Sequence, residues 1–118
     1  MENKEGLIWY NGNLIDWKDA KLHVLTHGLH YASSVFEGER SYSGRIFKLH
    51  EHTERLFFSA SELDFEIPFT IEEIKEACYL TLEKNNLVDA YIRPIAWRGA
   101  ETVGVSAQST KIHCAIAV

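Results

Sequence analysis

A threonine and a glutamate three residues apart, set directly ahead of an apolar stripe, constrain this chain more than any other feature. Thr70 can accept a hydrogen bond from the amide of Glu73 while Glu73 reaches back to Thr70, the reciprocal arrangement that starts a helix. Ile71, Ile74, Cys78 and Leu82 then recur at helical spacing, so residues 70–85 are predicted to form a helix with one face to bury. Leu49, Leu56, Ala60 and Leu63 place a second helix at 49–63.

Two one-sided helices need a partner layer, and the remaining apolar runs read as strands. Asn11-Gly12 between runs 7–10 and 14–17 is a strong type I′ hairpin signal. Ser43-Gly44 separates runs 35–42 and 45–48, its glycine supplying the positive φ of a tight turn. Residues 90–98 and 111–118 complete the set, with Pro94 predicting an edge position or a bulge in the former. Segment 26–34, with His27, His30 and Tyr31, reads either as a turn or as a short helix. The order ββββααββ implies an α+β domain: an antiparallel sheet with two helices packed on one face through Leu56, Leu63, Ile74 and Cys78.

The 118 residues suffice for one domain, and no repeat, linker or low-complexity stretch divides 1–118. A formal net charge of -5 gives no reason to expect nucleic acid as a partner. No apolar run approaches the ~18 residues of a membrane span, and "MENKEGLIWYNG" has no secretory pattern. Cys78 lies on the helical stripe and Cys114 alternates with Ile112, Ile116 and Val118. Both read as small core residues, pointing to a reducing, cytoplasmic setting. The last apolar run, Ile116-Ala117-Val118, has no polar ending, and the expectation is that a longer protein has been cut there.

The stretch "HYASSVFEGERSY" puts Phe36, Gly38 and Arg40 on one side of a strand and Val35, Glu37 and Glu39 on the other. Glycine weakens a strand unless another group must approach its backbone. Gly38 between an aromatic and an arginine suggests the wall of a small-anion pocket; the plainer reading is an edge strand with an incidental glycine. Glu37 and Glu39 share a face and have the makings of an acid–base pair, although a solvated or salt-bridged face is the ordinary outcome. His27/His30 and His50/His52 lack a third ligand, and Ser33 and Ser34 lack an orienting acid, so neither a metal site nor a nucleophilic triad is expected. Arg55 reads as a helix-surface residue paired with Glu51 and Glu62. Tyr91 and Arg93 fall on one strand face. Arg40, Arg55 and Arg93 together offer planar forks suited to carboxylate or phosphate.

"HGLHYASSVFEGERSY", "FKLHEHTERL" and "AYIRPIAWRG" resemble the N-terminal small domain of branched-chain amino acid aminotransferases, which are fold-type IV pyridoxal-phosphate enzymes. The similarity runs from "IWYNG" to "IHCAIAV". "HEHxxRL" is shared with the wider class, including D-amino acid aminotransferases and aminodeoxychorismate lyases. "HYxxSVFEG" with Arg40 and "AYIRP" belongs more narrowly to the branched-chain branch.

The resemblance implies that Phe36, Gly38 and Arg40 line the substrate pocket, with Phe36 on the aliphatic side chain and Gly38 leaving room for the ligand. It implies that Tyr91 engages the α-carboxylate and Arg93 the second carboxylate of glutamate or 2-oxoglutarate. Tyr31 would enter the partner subunit's site in a homodimer or larger homo-oligomer. Arg55 would hold the phosphate of pyridoxal 5'-phosphate. The lysine that carries the cofactor in this family has no counterpart here: Lys4, Lys18, Lys21, Lys48, Lys75, Lys84 and Lys111 all fall outside matching motifs. No catalytic residue is therefore assigned to these 118 residues. The expected function is a share in transamination between leucine, isoleucine or valine and 2-oxoglutarate, with the chain inactive alone. The alternatives are a stand-alone dimerising module or a related class IV enzyme.

Overall fold

Thr70 and Glu73 make both halves of the expected cap: the Glu73 amide donates to Thr70 Oγ1 at 3.1 Å and the Thr70 amide to Glu73 Oε2 at 2.7 Å. The structure, a computed structural model, describes residues 5–118; Lys4, among the lysines named above, lies outside them. The elements are β1 (Leu7–Tyr10), β2 (Asn13–Asp16), α1 (His27–Tyr31), β3 (Ser34–Phe36), β4 (Glu39–Tyr42), β5 (Arg45–Ile46), α2 (Leu49–Glu62), α3 (Ile71–Lys84), β6 (Ala90–Arg98) and β7 (Ile112–Ala117). A 3-10 turn, Trp17–Asp19, follows β2. Asn11 and Gly12 both take positive φ, 49° and 97°, as the hairpin signal requires.

Among the described residues the seven strands form one antiparallel sheet ordered β2-β1-β7-β6-β4-β5, with β3 also paired to β6. β6 is central, flanked by β7 on one side and by β3 and β4 on the other. The edge position expected from Pro94 is therefore corrected. The proline is accommodated because the predicted strand 35–42 is interrupted opposite it. The Glu37 amide still donates to the Pro94 carbonyl at 3.0 Å. The donor that Pro94 lacks falls in the gap between β3 and β4.

α2 and α3 pack on one face of the sheet. Leu56, Ile74, Cys78, Ile92, Cys114 and Ile116 meet there at full burial. Leu63 does not join them: it is the C-cap, one residue past the end of α2 at Glu62, and is 40% exposed. Both cysteines are free and buried, and burial pushes the Cys114 thiol up to about 12 and raises Cys78 as well. Such thiols are unreactive packing groups. On the opposite face, among the described residues, only the β1–β7–β6 part is covered, where Ile8, Trp97 and Ala115 pack with Trp17 and Ala20. The β3–β4 end of that face stays open. No helix among the described residues is long and apolar enough to cross a membrane.

Candidate ligand-binding face

Alternation is strict from Val35 to Tyr42, across the interruption between β3 and β4. Val35, Glu37, Glu39 and Ser41 are buried, and Phe36, Gly38, Arg40 and Tyr42 are exposed. On β6, Ala90, Ile92 and Pro94 point inward while Tyr91 and Arg93 point out. The register is the same on both sides of the interruption, with Phe36 opposite Ile95 and Arg40 opposite Tyr91, so Gly38 stands across from Arg93. Phe36, Gly38, Arg40, Tyr91 and Arg93 thus share the uncovered face.

These side chains touch. Arg93 donates to the Tyr91 hydroxyl from Nη2 and, at 2.9 Å, from Nε. Its guanidinium carbon lies 4.2 Å from the centroid of the Phe36 ring, a cation–π stack. A Cβ on Gly38 would stand 2.6 Å from the Tyr91 hydroxyl, so the group that comes close to this glycine is a protein hydroxyl. Arg40 sits 5.9 Å from the Tyr42 ring centroid. Among the described residues no carboxylate forms a salt bridge with Arg40 or Arg93. Two uncompensated guanidinium groups beside a hydroxyl and an exposed Phe36 ring suit a ligand with both carboxylate and apolar parts.

Arg55 belongs to the other side of the strand. Its expected partners Glu51 and Glu62 are replaced by Glu37, whose Oε1 accepts from Arg55 Nε at 2.6 Å and Oε2 from Nη2 at 2.8 Å; Glu51 pairs with Lys48 instead. His52, three residues before Arg55 on α2, donates from Nδ1 to the same Oε2 at 2.8 Å. The Arg55 contact holds the Glu37 carboxyl below its usual range, with help from His52 and against its burial. Glu39, two residues along, has no hydrogen-bond partner on either oxygen among the described residues. Burial and then the charge of Glu37 push it up to about 7. Tyr31 is carried by α1, 47% exposed, with its ring centroid 4.6 Å from that of His27. His27 and His30 bond separate groups: Ser33 Oγ and the Val105 carbonyl for the first, the Val24 carbonyl for the second.

The family profile for amino-transferase class IV matches residues 34–117, from the first residue of β3 to the last of β7. The chain belongs to the class IV aminotransferases. This class IV chain is 46% identical, over 99% of its length, to the branched-chain-amino-acid aminotransferase of Pseudomonas aeruginosa, and covers 39% of that protein. With the Escherichia coli K12 enzyme of the same name it shares 44% identity over 87% of its length and 35% of the relative. Of solved structures, the Escherichia coli branched-chain amino acid aminotransferase matches with a TM-score of 0.90 and 41% identity, covering 97% of this chain and 39% of that one. The T.th. enzyme of the same name, complexed with N-(5'-phosphopyridoxyl)-L-glutamate, matches at 0.86 and 42%, covering 96% and 41%. The chain therefore spans about two fifths or less of the length of these relatives.

The salt-bridged outcome expected for the Glu37/Glu39 face holds for Glu37 alone, and the sequence reading did not name Arg55 and His52 as its partners. The available signal was "HEHTER" itself: His52 and Arg55 are three apart, so one helix face presents two donors to a single acceptor.

Proposed function

We propose that this chain is the N-terminal small domain of a branched-chain amino acid aminotransferase. It would contribute the substrate-facing wall to an enzyme that moves the amino group of leucine, isoleucine or valine to 2-oxoglutarate. The observation that carries the reading is the cluster of Phe36, Tyr91 and Arg93 around Gly38 on the open sheet face. Phe36 offers apolar surface to a branched side chain, and the Tyr91 hydroxyl and the Arg93 guanidinium offer donors to carboxylates.

The cofactor of this reading is pyridoxal 5'-phosphate, which supplies an electron sink at the substrate α-carbon when bound. Arg55 fits its phosphate end: the guanidinium is held in place, and Nη1 has no partner among the described residues. A nucleophilic amine for the cofactor aldehyde has no matching lysine here and is assigned to a further domain. Association of copies belongs to the same reading. Leu29, Tyr31, Val103 and Val105 are exposed, and the Val105 carbonyl is bonded to His27 of α1, which brings the 102–105 loop beside Tyr31.

The test is to read the coding sequence past Val118 and assay the product. An open frame into a lysine-bearing domain, with leucine-dependent formation of glutamate from 2-oxoglutarate by the full-length protein alone, supports the reading. Borohydride reduction followed by mass spectrometry that finds a pyridoxyl adduct on a lysine of this chain, together with transamination by the 118 residues alone, overturns the domain assignment.

A further inference from the structure

Arg55 and Glu37 differ sharply in environment. The Arg55 side chain is 64% exposed, whereas that of Glu37 is 4% exposed and fixed on the buried face of the sheet. A long exposed arginine ordinarily samples many rotamers and loses that freedom when it binds an anion. Here Nε and Nη2 are both engaged by the carboxylate in fork-to-fork geometry, leaving Nη1 without a partner among the described residues. His52 donates to the same carboxylate and anchors it from the preceding turn of α2.

We propose that Glu37 is a positioning residue for the cofactor site: it fixes the Arg55 guanidinium so that the free Nη1 edge meets the phosphate already oriented. This rests on the reading of Arg55 as the phosphate ligand. Two physical effects oppose each other at Glu37. Its negative charge weakens the pull of Arg55 on a phosphate dianion, while its rigid acceptor removes the entropic cost of ordering the arginine. The two short, charge-assisted bonds commit the arginine to one geometry, and the charge of Glu37 is shared with His52 and Arg55 together. Pre-organisation is therefore the larger effect.

The opposing signs make the proposal testable with Glu37→Gln, which keeps the size of the side chain and removes its charge. In the full-length enzyme carrying this chain, the dissociation constant for pyridoxal 5'-phosphate, followed by cofactor absorbance on dilution, should rise about tenfold, the scale seen for partners that orient a ligand-binding group. Turnover should recover at saturating cofactor, and the KM for leucine should stay unchanged. Arg55→Ala should weaken cofactor binding at least as much, and adding Glu37→Gln to it should cost little more, because the carboxylate acts through the arginine. Equal or tighter cofactor binding by Glu37→Gln, or full additivity of the pair, overturns the positioning role while leaving Arg55 as the ligand. No loss of affinity in Arg55→Ala overturns the underlying reading instead. A measurement on the unsubstituted chain covers the case in which Glu37→Gln fails to fold. The Arg55 Nε–Hε resonance should be single, shifted downfield and slow to exchange with water, and a freely exchanging signal would sink the proposal.

Discussion

Glu37, in the gap between β3 and β4, and Glu39, the first residue of β4, point to the same side of the sheet, yet Glu37 accepts three hydrogen bonds and Glu39 accepts none among the described residues. The difference lies in what α2 presents to each. Arg55 and His52 reach Glu37, while Glu39 lies deeper, 2% exposed, where Cys78 of α3 is near enough to feel its charge. An unpaired buried carboxylate is costly and resists ionisation.

The first prediction follows from that cost. Burial raises Glu39 from 4.5 to about 7, so between those values the folded chain binds more protons than the unfolded one. The Glu39 contribution to stability is full below pH 4.5, falls as pH rises through 7, and above it is lower by about 3 kcal/mol. Glu39→Gln should flatten this dependence. Urea melts at pH 5 and pH 8 check it, and an unchanged slope in the variant would remove Glu39 as the cause.

Gly38 is predicted to be a packing requirement of Tyr91. Gly38→Ala places a methyl 2.6 Å from the Tyr91 hydroxyl, the far end of a half-exposed side chain that can shift, and should cost less than about 1 kcal/mol. Tyr91→Phe removes the clashing oxygen, so the double variant should lose less than the sum of the single losses. Thermal melts of the four proteins decide it; strict additivity would mean the clash is relieved elsewhere.

Arg93 is predicted to discriminate between substrates in the full-length enzyme. Arg93→Ala should raise the KM for glutamate and 2-oxoglutarate about ten- to a hundredfold, as loss of a charged hydrogen-bonding contact does. The KM for leucine should change far less, since leucine has no distal carboxylate. Half-reaction kinetics are required, because ping-pong steady-state constants mix the two substrates. Equal losses for glutamate and leucine would reduce Arg93 to its contacts with Tyr91 and Phe36.

The tether between the first strand and α3 should be among the more sensitive polar positions. Asn85, the C-cap of α3, accepts from the Leu7 amide at 2.8 Å and donates to the carbonyls of Leu7 and Thr81 at 2.9 and 2.7 Å. Asn85→Ala strands the partly buried amide and carbonyl of Leu7, while the Thr81 carbonyl keeps the residue-85 amide, and should cost about 2 kcal/mol. Thr70→Ala, at the other end of the same helix, loses only a cap and should cost about 1 kcal/mol. Denaturant melts rank the two, and the reverse order would contradict the role given to the tether.

The sequence by itself determined what depends on neighbours a few residues apart. The Thr70–Glu73 cap, the stripe through Ile74 and Cys78, and the Asn11-Gly12 turn are local patterns, and each appears where it was read. The alternation that sets Phe36, Gly38 and Arg40 against Glu37 and Glu39 was equally legible, since strand period needs no tertiary information. Which of those faces would be covered was not legible. Glutamates ordinarily face water, and only the packing of α2 and α3 against the sheet puts Glu37 and Glu39 inside. The same packing gives Arg55 a partner 18 positions away in place of Glu51 and Glu62. Pro94, read as marking an edge or a bulge, lies in a central strand because the gap between β3 and β4 meets its missing donor. The Tyr91 hydroxyl occupies the space left at Gly38, across strands 53 positions apart, and this was beyond any local pattern. Contacts of that kind are set by sheet register and helix docking, which depend on the packing of the whole core.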